Sequence, residues 1–257
     1  RFEFGKNWKG FLRTLNEDRI RNAEKSLMEM LKCDNLSGKK FIDVGCGSGL
    51  FSLAAINLGA EVVSFDFDPN SVACTKILKD KFHPAKNWKI YRGSVLDKNY
   101  IASLGKFDVV YSWGVLHHTG NMMQAFENVN TLMADNGLLF IAIYNDQGWK
   151  SNLWLKIKKI YNINLLGKAC MLTIFIPYYV FSSFVSDVLQ FKIPSRRYSE
   201  YKKNRGMSII HDWYDWLGGL PFEVASVEKI LHFFKKKGYV LTSMKSTTTL
   251  GNNEFVF

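Results

Sequence analysis

Cysteine is scarce in this chain, and what there is carries no pattern. The four cysteines, at positions 33, 46, 74 and 170, form no C-x-x-C pair and no zinc-type spacing, so neither a redox motif nor a cysteine-built metal site is indicated. A reduced, cytoplasmic compartment is the simple expectation. No signal peptide is visible; the sequence opens at Arg1 rather than Met, which leaves room for residues before it. Acidic residues are also short, 23 against 34 Lys and Arg, for a formal net charge of +11. Such a balance favours an anionic partner: a phosphorylated small molecule, a membrane surface or nucleic acid. Nor does any uninterrupted apolar run reach the ~18 residues that a membrane span requires. The most apolar region, Leu165 to Phe191, is interrupted by Lys168, Pro177 and Asp187 and is not read as a span. What is abundant is core-forming material. Hydrophobic residues make up 47% of 257 positions, enough for one large domain or a domain with an insertion.

The stretch around which the rest is organised is Lys40-Phe41-Ile42-Asp43-Val44-Gly45-Cys46-Gly47-Ser48-Gly49-Leu50-Phe51. A short apolar run of the kind that forms a buried parallel strand breaks into three alternating glycines, and a helical stretch follows. Glycines let backbone approach a ligand, and a helix N-terminus aims free N–H groups at it. A second apolar run ends in Asp66-Phe67-Asp68-Pro69. Asp66 lies where doubly wound nucleotide-binding domains place an acid against ribose hydroxyls. Asp68 before Pro69 reads as a helix cap. A third strand ends in Gly93-Ser94-Val95-Leu96-Asp97.

The pattern Asp43-x-Gly45-x-Gly47-x-Gly49 resembles motif I of the class I S-adenosylmethionine-dependent methyltransferases. The resemblance implies S-adenosyl-L-methionine as cofactor. It implies that Asp43 positions the cofactor's amino-acid end, that Gly45, Cys46, Gly47 and Gly49 line its path, that Asp66 and Phe67 meet the ribose side, and that Ser94 and Val95 meet the adenine. Many members carry an acid directly after the third glycine-bearing turn; here Ser94 stands in that place and the acid is at Asp97. Ser112 and Trp113, at the end of strand four, would complete the cofactor contacts. The resemblance covers roughly 40–145 and 226–257.

Read in order, residues 40–144 alternate as strand 40–45, helix 49–58, strand 61–66, helix 69–80, strand 88–92, helix 98–104, strand 107–113, helix 121–134 and strand 138–144. Alternation of this kind predicts a parallel sheet covered on both faces, with the ligand segments gathered at the strands' C-terminal ends. A closing helix, Val227 to Lys237 with Gly238 as its stop, then strands Tyr239 to Lys245 and Asn253 to Phe257, match the final hairpin of the methyltransferase sheet. The fold class expected is therefore α/β, a doubly wound, seven-stranded, mostly parallel Rossmann-like sheet. Its parts are an N-terminal aromatic arm and helix (1–39), the core (40–145 and 226–257) and a helical, aromatic insertion after strand five (146–225). The arm, with Phe2, Phe4, Trp8 and Phe11, either packs on the sheet edge or folds over the cofactor, with Trp8 the contact.

Strand four runs into Leu116-His117-His118-Thr119-Gly120, which in the resembled family lies beside the methyl donor. Histidine serves as a general base near neutral pH, so His117 and His118 are the catalytic candidates, His118 slightly preferred. Tyr144 and Asn145 emerge at the same edge and are candidates for the acceptor pocket. The insertion begins with a basic helix, Trp149 to Tyr161. Its apolar part, 165–191, reads as a lid or dimer face in preference to an interfacial membrane segment. A basic aromatic stretch holding Arg205 leads to His211-Asp212-Trp213-Tyr214-Asp215-Trp216. Arg205 suits an anionic substrate group, and His211 and Asp212 a substrate hydroxyl. No second histidine at ligand spacing supports a metal there. The insertion has a general similarity to that of bacterial ubiquinone-pathway O-methyltransferases.

The expected activity is methylation of a small molecule at oxygen. The positive charge favours a phosphate-bearing or nucleotide-linked acceptor of surface-glycan assembly, with a ubiquinone-type aromatic acceptor at the membrane surface as runner-up. A tRNA methyltransferase and a non-catalytic, cofactor-binding partner subunit stay open; no separate nucleic-acid module is visible.

Overall fold

The computed structural model describes residues 12, 15–84, 87–193 and 209–257. The apolar runs become strands β1 (Lys40–Val44), β2 (Glu61–Asp66), β3 (Trp88–Arg92), β4 (Phe107–Trp113), β5 (Met133–Tyr144), β6 (Ser243–Lys245) and β7 (Asn252–Val256). They form one seven-stranded sheet in the order β3-β2-β1-β4-β5-β7-β6. β1 to β5 pair in parallel, and β7 runs antiparallel between β5 and β6. Central strands covered on both faces lose the in-out alternation of a half-solvated sheet; in β1 only Lys40 is exposed and Phe41 to Val44 are all buried.

The helices are α1 (Glu17–Leu31), α2 (Leu50–Asn57), α3 (Pro69–Phe82), α4 (Lys98–Ser103), α5 (Met122–Asn130), α6 (Trp149–Ile163), α7 (Leu165–Leu189), α8 (Ile209–Gly218) and α9 (Val227–Lys236). Polar side chains start several of them. Asp68 accepts the Asn70 N–H at 2.8 Å ahead of Pro69, and Asp97, Asn121 and Ser226 do the same for α4, α5 and α9. Two apolar layers sandwich the sheet. Leu27 and Leu31 of α1 and Leu53 of α2 pack with Phe41, Tyr111 and Phe140 on one face. Ile101 of α4, Phe126 of α5 and Phe234 of α9 pack with Ile42, Val110 and Ile141 on the other. All C-terminal strand ends of the parallel set then share one edge.

Three expectations need correction. Helix α5 ends at Asn130 and β5 already begins at Met133, because Met133 pairs with Phe107 before an irregular step whose Asn136 has a φ of +58°. β6 is confined to Ser243–Lys245. The interrupted apolar region is one continuous 25-residue helix, α7, with Pro177 inside it. An interior proline removes one backbone bond, and here packing of Met171, Leu172, Phe175 and Tyr179 with Ile157 and Tyr161 of α6 and Leu217 of α8 holds the helix together across it.

Candidate active site

The glycine turn is built from left-handed backbone. Gly45, Gly47 and Gly49 have φ of +83°, +55° and +82°, a region that side chains with a Cβ seldom adopt. A Cβ on Gly45 would stand 2.5 Å from both γ-methyls of Val115, and one on Gly49 would stand 2.9 Å from Thr75. The turn is tied to the end of β2. Gly45 and Cys46 donate their N–H groups to the Phe65 carbonyl at 2.9 and 3.1 Å. Gly47 donates to Asp66 Oδ2 at 3.0 Å, while Asp66 Oδ1 accepts the Asp68 N–H at 2.8 Å. Asp66 thus fixes the turn and presents a carboxylate beside it.

Asp43 is buried, and its Oδ2 accepts the Ser52 hydroxyl at 2.5 Å. Burial pushes its carboxyl up to about 7. The Cys46 thiol lies 3.2 Å from Thr75 Oγ1 and burial raises it well above its ordinary range, so it is a packing group and not a nucleophile. Ser112 donates to the Val44 carbonyl at 3.0 Å, joining β4 to β1. Trp113 is exposed and donates its indole N–H to Glu254 at 3.1 Å.

Between the glycine turn and the ends of β2, β3 and β4 lies a cleft of about 360 Å³, open mouth included. Gly45, Asp66, Phe67, Ser94 and Val95 line it, as expected from the sequence. Asp43, Cys46, Gly47, Gly49, Ser112 and Trp113 are not among its lining residues. Leu96, Val115 and Thr119 also line the cleft, though none of them is among the residues expected to contact the cofactor. The residues suit a nucleoside. Phe67, Val95 and Leu96 offer apolar walls to a base, and a carboxylate at the rim accepts the protons of a vicinal diol.

Val115 and Thr119 bracket the one-turn 3-10 helix Leu116–His118, so the wall of the cleft continues directly into the histidine pair. His117 is fully buried. Its Nδ1 accepts the Tyr144 backbone N–H at 3.3 Å, which places its proton on Nε2. That Nε2 is buried with no hydrogen-bond partner among the described residues. Burial, then the neighbouring His118 and Lys158, push the His117 imidazole well below its ordinary 6.5. His118 Nδ1 lies 2.6 Å from the Pro221 carbonyl oxygen.

Aromatic rings cover this pair. The Tyr144 ring stands 4.0 Å from His117, 5.6 Å from Trp216 and 5.5 Å from Phe222. Lys158 is buried among them, donating to the Trp216 carbonyl, with its ammonium 5.0 Å from the Phe222 ring centroid. Asn145 departs from expectation. Its amide donates to the Thr247 and Thr249 carbonyls and accepts from Asn253, so it fastens the β6–β7 loop, and the structure does not bring it together with the histidines. Trp8, Arg205 and the side chains of His211 and Asp212 lie outside the described residues. Among the described residues, no group of three or more His, Cys, Asp or Glu is placed to hold a metal.

A parallel sheet with an antiparallel seventh strand, a glycine turn after β1 and an acid closing β2 define the class I methyltransferase architecture. The chain belongs to the methyltransferase domain family, whose model matches residues 15–167. Among curated proteins it is similar to the ubiquinone biosynthesis O-methyltransferase of Rhodopseudomonas palustris strain BisB5, 29% identical over 116 residues, 45% of this chain and 44% of that protein. The protein of the same name from Pelagibacter ubique strain HTCC1062 is 28% identical over 138 residues, 52% of this chain and 55% of that one. The chain spans about half the length of the curated relatives it matches. In fold it is similar to magnesium protoporphyrin IX methyltransferase from Synechocystis PCC 6803 with bound SAM, at a TM-score of 0.54 and 12% identity over 92% of this chain and 77% of that one. An O-methyltransferase family protein from Burkholderia thailandensis gives a TM-score of 0.55 at 10% identity, over 92% and 56%.

Proposed function

We propose that this chain is an S-adenosyl-L-methionine-dependent O-methyltransferase acting on a small aromatic acceptor. One observation carries the reading: the turn whose ends, Val115 and Thr119, line the nucleoside-type cleft also carries the histidine pair packed against the Tyr144 ring. Methyl transfer needs donor and acceptor held in line. When bound, the cofactor supplies an electrophilic methyl on a sulfonium. Asp66 holds the ribose hydroxyls, and Asp43 supports the amino-acid end from behind, through the turn it braces. Tyr144, Trp216 and Phe222 orient the acceptor ring. In this reading His118 accepts the acceptor hydroxyl's proton at Nε2, and the Nε2–H of His117 donates to an acceptor oxygen.

The relatives named for ubiquinone biosynthesis support oxygen as the methylated atom and a quinone-type ring as the acceptor. A second reading, a phosphate-bearing or nucleotide-linked acceptor of glycan assembly, has the net charge of +11 in its favour. The test is transfer of labelled methyl from S-adenosyl-L-methionine to a catechol with a short prenyl tail, with a nucleotide sugar and bulk tRNA in parallel. The proposal expects label in the catechol, lost with His118→Gln. Label only in the nucleotide sugar establishes the second reading. Label only in tRNA, or cofactor binding with no transfer in any arm, overturns both.

A further inference from the structure

We propose that helix α7 is a membrane-docking element that lies flat on an anionic lipid bilayer. At 25 residues it is long and apolar enough to cross a membrane by length and composition, yet only 6% of its most apolar window is buried. One face is taken by α6 and α8. Ile174, Tyr178, Phe181, Val185 and Val188, spaced by four and three, form another, and all five are exposed. With Met171, Leu172, Phe175 and Tyr179 held against the protein, the helix lies in the interfacial plane instead of leaving the molecule. Isolated exposed apolar residues are ordinary; a contiguous stripe of this size marks an interaction surface.

Charge identifies the occupant. From Gln147 to Ser186 the sequence holds five lysines, at 150, 156, 158, 159 and 168, and no Asp or Glu. All but Lys158 are exposed. Exposed lysines on α6 and at the start of α7 complement anionic headgroups. A second copy of this chain docked on the same stripe would instead bring two sets of like charges together. Trp149, 71% exposed at the start of α6, is the residue type that settles at headgroup level.

The placement also bears on the acceptor, and here the inference rests on the reading of an aromatic methyl acceptor. Trp154 meets Phe175, and Lys168 meets Tyr161, so α6 and α7 are antiparallel. Rings then follow one another from α7 to the histidines: Phe175 to Trp154 at 5.5 Å, Trp154 to Trp216 at 6.0 Å, Trp216 to Tyr144 at 5.6 Å and Tyr144 to His117 at 4.0 Å. An acceptor dissolved in the bilayer would meet this apolar route first.

Flotation of the purified chain with vesicles tests the proposal. Binding to phosphatidylglycerol–phosphatidylcholine vesicles is expected, several-fold weaker on phosphatidylcholine alone and weakened by salt. The surface variant Phe181→Glu/Phe184→Glu should lower it at least tenfold, and Lys156→Glu/Lys159→Glu should remove the preference for the anionic lipid. Calorimetric titration with S-adenosyl-L-methionine should be unchanged in both variants, which separates loss of docking from failure of the cofactor reading. Equal flotation of wild type and Phe181→Glu/Phe184→Glu overturns the proposal. So does a lipid-free dimer, seen by sedimentation, that the same two substitutions dissolve.

Discussion

His118 Nδ1 lies 2.6 Å from the carbonyl oxygen of Pro221. A carbonyl only accepts, so a proton sits on Nδ1; in the neutral ring the lone pair is then on Nε2, the tautomer a general base requires. His118→Gln should lower kcat about 10²–10⁴-fold and leave the affinity for S-adenosyl-L-methionine within twofold. Stopped-time assays and calorimetry on the same preparation check this. A kcat that survives the substitution removes His118 as the base.

Two buried groups give stability an unusual pH profile. His117 is held neutral in the fold, so its contribution is complete above its ordinary 6.5 and is lost as pH falls toward its lower folded value. Asp43 acts in the opposite sense. Its folded carboxyl keeps a proton up to about 7, where the unfolded one releases it near 3.8, so stability falls as pH rises between those values. Each slope approaches about 1.4 kcal/mol per pH unit, and they oppose each other below 6.5, down to the folded value of His117. Asp43→Asn removes one of the two. Urea midpoints of the variant should therefore rise more steeply with pH across that window than those of wild type. Parallel curves would show that Asp43 is not the proton holder.

Gly45 is required by Val115 as much as by its own backbone. Gly45→Ala should cost about 1–3 kcal/mol, since the new methyl would overlap both Val115 γ-carbons. Val115→Ala in the same chain should recover part of that loss, leaving the strain of a φ of +83°. A double-mutant cycle measured by denaturant unfolding should give a coupling of at least about 0.5 kcal/mol. Strict additivity would contradict the contact.

Trp216 packs near Tyr144, where the proposed acceptor ring would sit, away from the cleft lining. Trp216→Ala should raise the acceptor KM about tenfold, the loss of roughly 1.4 kcal/mol of ring contact, and leave cofactor affinity unchanged. Steady-state kinetics with the prenylated catechol decide it. A fall in kcat with KM unaltered would place Trp216 elsewhere in the account.

Much of the fold is legible in the sequence. Alternating apolar runs predict the sheet, and the place of Asp66 at the end of β2 and the Asp68 cap before Pro69 are legible in the sequence. The rest needed tertiary information. Spacing identifies a glycine turn but not which of its residues face the cleft, so Cys46 and Gly49 turned out to pack against Thr75. Val115 and Thr119 flank the histidines in sequence, but that they face the cleft follows only from the turn between them. Asn145, at the right strand end, is captured by the β6–β7 loop. In α7, Lys168 sits in the first turn and Asp187 in the last. Charges at those positions mark the ends of a helix as readily as breaks within one, and Pro177 is tolerated because neighbouring helices pack around it.

The cleft beside Asp66 is where S-adenosyl-L-methionine should bind. The most direct measurement is calorimetric titration with that compound and with S-adenosyl-L-homocysteine, on wild type and on Asp66→Ala. One-to-one binding by wild type, weakened at least tenfold in the variant, about 1.4 kcal/mol, is the predicted result. Wild type that binds neither compound, or a variant that binds both as tightly as wild type, would contradict it.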